Sequence, residues 1–160
     1  MSESRFERKG SPTGLQRLFF RAPIPIYRAG LGFLLGKRLL MLEHVGRKSG
    51  ETRRTVLEVV ADQEDAVYVA AAWGSKAQWL ANIEANPAVV FYHGSHRYST
   101  TAEIIGVDQA REIMAGYADE HPGLLKRLSS MMIDDPAETP EGQADQIAET
   151  IPMVRLPKGD

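Results

Sequence analysis

Apolar residues along this chain fall into short alternating runs, interrupted by helical stretches. Arg38-Leu39-Leu40-Met41-Leu42-Glu43-His44-Val45 and Thr55-Val56-Leu57-Glu58-Val59-Val60 flank the polar, glycine-bracketed segment Gly46-Arg47-Lys48-Ser49-Gly50. Two strand-like runs around such a segment predict a β-hairpin, 38–45 with 52–60. Residues 66–72 predict a third strand, ending in the small residues Ala70, Ala71 and Ala72. Residues 88–93 and 95–105 predict a second hairpin, with Gly94-Ser95 in the two-residue turn position. Ile151-Pro152-Met153-Val154-Arg155-Leu156 predicts a last strand, which Pro152 would start at a sheet edge.

Helical spacing lies between these runs. Lys76 to Ala85 predicts a helix capped by Ser75, with Leu80 and Ile83 facing the core, Trp79 beside them and Asn86-Pro87 ending it. Asp108 is placed to cap a helix from Gln109 to Asp119, and Pro122 opens another carrying Leu124, Leu125, Leu128 and Met132. The acidic, proline-containing stretch Asp134 to Asp145 reads as a loop or a partly ordered excursion, followed by a short helical turn from Gln146 to Thr150. The total is about six strands with flanking helices. Because the strands come mostly as antiparallel hairpins, the pattern predicts an α+β fold built on a small antiparallel barrel rather than a doubly wound parallel sheet.

The N-terminal part divides in two. Residues 1–12 are polar and charged and predict a flexible terminus. The stretch 13–36 is helical but broken at Pro23 and Pro25, so residues 13–160 read as one domain with N-terminal helices. The second apolar run, from Ile26 to Leu35, is too short and interrupted to span a bilayer. It reads as a helix packed over the sheet, or alternatively as one lying on a membrane surface with its arginines toward anionic lipid. Nothing near the start has the build of a cleaved signal peptide. The expected location is the cytoplasm, with the inner membrane face as the variant if 13–36 makes peripheral contact.

Charge sharpens this picture more than composition does. At 43% hydrophobic and 25% charged residues, the chain is of ordinary globular make-up. It has no cysteine, which excludes disulfides, thiolate metal sites and a thiol nucleophile. The formal net charge of −2 conceals an asymmetry. Up to Arg54 there are twelve Lys and Arg against four Asp and Glu; the remainder has seven against seventeen. An electropositive first third suits an anionic partner.

The strongest local candidate is the hairpin turn itself. Glycines let backbone N–H groups converge on an anion, and Arg47, Lys48, Arg53 and Arg54 supply charge. The turn is thus either a phosphate or carboxylate clamp or simply a solvated basic tip. Other motifs fail on spacing. Gly30-Leu31-Gly32 with Gly36 is one residue too long for the dinucleotide fingerprint, and Gly36-Lys37 is followed by Arg38 rather than Ser or Thr. His93-x-x-His96 lacks a carboxylate neighbour, so no metal is assigned. The basic residues gather at one turn rather than along a groove, which argues against nucleic acid.

Leu42-Glu43-His44-Val45-Gly46-Arg47-Lys48-Ser49-Gly50 with Arg53, then Trp79-x-x-Asn82-x-x-x-Asn86-Pro87, then Ile151 to Leu156, resembles the deazaflavin-dependent nitroreductase family. These are split β-barrel oxidoreductases, of the FMN-binding split-barrel type, found in actinobacteria and their relatives. The resemblance spans about residues 30 to 156. It implies a reductase using coenzyme F420, with FMN the less suited cofactor. It places the cofactor's phosphate and oligoglutamate tail at Gly46, Arg47, Lys48, Ser49, Gly50 and Arg53, with Arg54 adjoining. It lays the deazaflavin ring along the stretch that includes Ala71, Ala72, Trp73 and Lys76, a loop that Trp79 and Asn82 would buttress from the helix. Hydride transfer to a quinone, enone or nitro compound needs orientation rather than a nucleophile, so no catalytic side chain is assigned.

The sequence departs from the family where Val56-Leu57-Glu58 replaces a common proline, leucine and aromatic, and where the stretch before Trp79 is short. These departures keep a second reading open, a fatty-acid or other amphipathic-anion binding protein on the same barrel. An FMN or haem protein is a third. Barrels of this family often pair, so the resemblance is compatible with a homodimer without choosing an oligomeric state.

Overall fold

A computed structural model describes residues 38–71 and 77–159. The helices expected over 13–36 and the Ser75 cap lie outside the described residues. Seven strands, β1 (Leu39–Val45), β2 (Thr52–Asp62), β3 (Ala66–Ala70), β4 (Ala88–His93), β5 (His96–Thr101), β6 (Glu103–Ile104) and β7 (Met153–Pro157), form one antiparallel sheet. Four helices are described: α1 (Gln78–Ala85), α2 (Val107–Glu120), α3 (Pro122–Met132) and α4 (Pro140–Thr150).

The strand order is β5-β4-β1-β2-β3-β7-β6. Its two ends are the two halves of one extended segment, for only Ala102 separates β5 from β6 in the chain. β5 pairs with β4, β6 pairs with β7, and the backbone itself joins the sheet's opposite edges. The sheet therefore curls into a nearly closed split barrel, which removes most exposed strand edge. The expected strand 95–105 is thus one chain segment but two strands.

Alternation decides what fills the barrel. Leu40, Leu42, Leu57, Val67, Val69, Val89, Phe91, Val154 and Leu156 point inward. Trp79, Leu80 and Ile83 of α1 complete this core. The outer face of β3 and β7 packs under α2, α3 and α4 through Tyr68, Met153, Ile113, Met114, Leu125 and Ile147. β3 is accordingly buried on both faces.

Several expectations are corrected. The acidic stretch 134–145 is only partly a loop, because α4 begins at Pro140. Thr139 caps it, its Oγ1 accepting the Gly142 N–H at 3.1 Å. Threonine at the cap, proline at the first helical position and Glu141 in the first turn make a legible helix start that the acidic composition masked. Thr139→Ala is expected to cost about 1 kcal/mol in urea denaturation. Asp108 sits inside the first turn of α2, with Gly106 at the cap. Pro152 does not mark an edge strand, since β7 lies between β3 and β6 and the Pro152 carbonyl accepts the Ala71 N–H at 2.8 Å.

Candidate functional site

β1 and β2 deliver the Gly46–Gly50 turn to a mouth of the barrel beside α1. The Gly50 N–H donates to the Gly46 carbonyl at 2.8 Å, and the Gly46 N–H donates to that of Glu51 at 2.8 Å. Gly50 has φ +73°, a left-handed conformation that a side chain would strain. At Gly46 a Cβ would stand 2.7 Å from Ser49 Oγ. Its absence lets that hydroxyl fold back, where it accepts from the Glu51 N–H at 3.2 Å and the Arg53 guanidinium at 3.4 Å.

α1 aims Arg47. Asn82 Oδ1 accepts both the Arg47 backbone N–H at 3.1 Å and its guanidinium at 2.8 Å. Gln78 Oε1 accepts the other terminal nitrogen at 3.0 Å. Both braces are neutral amides. Lys48 is exposed, and among the described residues no carboxylate pairs with it or with Arg47. Among the described residues, too, the N–H groups of Lys48 and Ser49 have no protein acceptor. Arg53 is exposed, and among the described residues its one carboxylate contact is a loose pair to Glu51 at 3.6 Å.

Arg54 points to the other face. It lies directly across from Glu43 and binds its carboxylate at 2.9 Å, both groups half-buried. The structure thus separates Arg54 from the turn's cations. Arg54→Ala is expected to lower stability by about 1–2 kcal/mol, by leaving Glu43 unpaired, while affinity for an anionic ligand at the turn stays unchanged. Thermal denaturation and ligand titration of this variant check both halves.

The remaining expected site residues divide. Ala71 is fully buried, and Trp79 is 7% exposed within the barrel core, where it seats α1. Ala72, Trp73 and Lys76 lie outside the described residues. Glu58 points away from the barrel interior, toward α2, with its carboxylate 3.5 Å from the Tyr117 hydroxyl and 3.4 Å from Arg38. Burial, then the Glu58 charge, push the Tyr117 hydroxyl up to about 12. Glu58 therefore helps anchor α2.

Sequence reasoning missed His44. It is 5% exposed, stands across the ladder from Arg53, and its Nδ1 lies 3.0 Å from Asn82 Nδ2. Burial first, and Arg53 second, hold its pKa down at about 4. The available signal was parity: His44 continues the inward positions of Leu40 and Leu42, so a polar ring falls on the apolar face.

The turn, then, offers uncompensated cations, free N–H groups and room left by glycine. That set fits a ligand with several negative charges, such as a phosphate followed by carboxylates. Joined to a nearly closed antiparallel barrel, it defines a split-barrel protein whose β1–β2 turn presents uncompensated positive charge.

The comparisons with known proteins resolve the class. A family model described as F420H(2)-dependent quinone reductase matches residues 24–128, and the chain belongs to that family. Rv3178 of Mycobacterium tuberculosis, named as a candidate F420H(2)-dependent quinone reductase, is 32% identical over 98 residues, covering 58% of this chain and 82% of the relative. Among solved structures, the F420-H2 dependent reductase FDR-A superposes with TM-score 0.52 at 18% identity, over 75% of this chain and 94% of that one. The haem storage protein HutZ of Vibrio cholerae gives 0.54 at 13% identity, over 85% and 89%. These two likenesses concern the fold alone. Family membership makes the chain an F420-dependent reductase, with coenzyme F420 as its cofactor. The fatty-acid-binding alternative finds no support in the family or these relatives. Among the described residues, no helix is long and apolar enough to cross a membrane.

Proposed function

We propose that this chain reduces a quinone-type acceptor with F420H2 and that the β1–β2 turn holds the cofactor's anionic tail. The observation that carries the second part is the Arg47–Lys48 pair, whose charge no described carboxylate cancels. The family description and the name of the mycobacterial relative support the first. When bound, the cofactor supplies a hydride from its reduced ring. Arg47, Lys48, the Lys48 and Ser49 N–H groups and Arg53 bind the part that does not react. Their contribution is affinity and orientation, which hold the reacting end against the acceptor.

The test is a titration of purified protein with F420, followed by tryptophan quenching, with FMN in parallel. Trp73 and Trp79 are the only tryptophans. Saturable quenching by F420 but not FMN is expected, and then quinone-dependent oxidation of F420H2, faster than with nitro compounds or enones. Binding without quinone turnover would overturn the acceptor assignment. An absence of F420 binding would overturn the whole reading.

A further inference from the structure

The brace behind Arg47 contains no charge, and its hydrogen-bond directions follow without sight of a proton. The Arg47 backbone N–H and guanidinium can only donate, so the Asn82 atom they share is its carbonyl oxygen, at 3.1 and 2.8 Å. The Asn82 amide nitrogen then faces His44 Nδ1 at 3.0 Å and donates to it. His44 Nδ1 must accept, so the ring is neutral with its proton on Nε2. A strand histidine, a helix asparagine and a turn arginine thereby fix one another's orientation. Asn82 is 4% exposed and His44 5%, so water does not substitute for either partner.

Neutrality is the informative feature. On the neighbouring face the half-buried Arg54 is held by a carboxylate, Glu43, at 2.9 Å, whereas Arg47 is exposed. Arg47 receives the same geometric restraint from two amide oxygens instead. Its donors are oriented, yet its charge is left for something outside the chain.

We propose that Asn82, itself oriented by His44, is a positioning residue that presents Arg47 to an anionic ligand, and that the neutrality of Asn82 and Gln78 keeps Arg47's charge available to it. This rests on the turn being the cofactor-tail clamp. A purely structural brace would tie the hairpin to α1 equally well with a carboxylate. The two roles therefore part when an amide is exchanged for an acid of the same shape.

The experiment uses Arg47→Ala, Asn82→Asp and Gln78→Glu in the full chain, each titrated with F420 by deazaflavin fluorescence at low and high salt. Asn82→Asp retains the acceptor for Arg47 but cancels its charge, and is expected to weaken F420 binding about tenfold. The loss should shrink at high salt. The new carboxylate also faces His44 Nδ1, so the His44 imidazole should titrate at higher pH by NMR than in the parent protein. Gln78→Glu changes an exposed residue and cannot disturb the core. It is expected to weaken binding about threefold and serves if Asn82→Asp does not fold. If Arg47→Ala weakens F420 binding while both acid variants bind like the parent, the positioning proposal fails and the clamp stands. If Arg47→Ala itself binds like the parent, the clamp reading falls and this inference with it.

Discussion

Replacing Arg47 and Lys48 together by alanine is expected to weaken F420 binding by about 2–3 kcal/mol, roughly 30- to 150-fold in Kd. Hydrogen bonds to charged groups reach the upper part of that range when desolvated, but this turn is exposed, and solvent takes back part of each. The fold should survive. Arg47→Ala keeps the backbone N–H that donates to Asn82 at 3.1 Å, so the hairpin remains tied to α1. Because the tail does not react, lost tail contacts are uniform binding: KM for F420H2 rises and kcat at saturation stays near the parent value. The salt dependence of binding should also flatten, since fewer cations meet the ligand's anions. Titration across ionic strength, with steady-state kinetics, checks both. Equal affinity in the double variant would place the tail elsewhere.

Local patterns were legible in the sequence, and closure was not. Alternation and turn chemistry predict the β1–β2 hairpin and the Gly94-Ser95 turn, where Gly94 adopts φ +60° and His93 pairs with His96. The break at Ala102 is invisible, because the residues on either side keep their strand character and only the sheet's curl directs them to opposite edges. The place of β7 between β3 and β6 is likewise a tertiary fact that Pro152 could not report. For the site, Arg47 and Lys48 stand out by composition. The division between Arg53 and Arg54 follows from strand alternation, which charge counting overlooked. The His44–Asn82 contact joins residues 38 positions apart, on a strand and a helix. Parity was the unused signal for His44 and the family resemblance named Asn82, but their meeting depends on where α1 crosses the barrel mouth.

His44 gives the second large effect, on acid stability. Its folded pKa lies at about 4 against 6.5 for an unperturbed ring. Between those values the unfolded chain binds the proton that the folded protein refuses, so stability rises with pH across the window and falls on acidification. The depression corresponds to about 3 kcal/mol, lost progressively from pH 6.5 down to about 4 and constant below, where both states are protonated. The physical cost is specific: a charged ring carries N–H at Nδ1 and confronts the donating amide nitrogen of Asn82, beside the Arg53 charge. Urea denaturation at pH 7 and pH 4.5, on the parent and on His44→Gln, isolates the histidine because the carboxylates are common to both. The parent should lose about 2–3 kcal/mol more than the variant between the two conditions. In the folded parent the ring stays mostly neutral over that interval, so its Asn82–Arg47 brace, and with it F420 affinity, should weaken only as pH falls through about 4. Parallel stability curves would show that the His44 ring is not the neutral acceptor that the Arg47 brace requires.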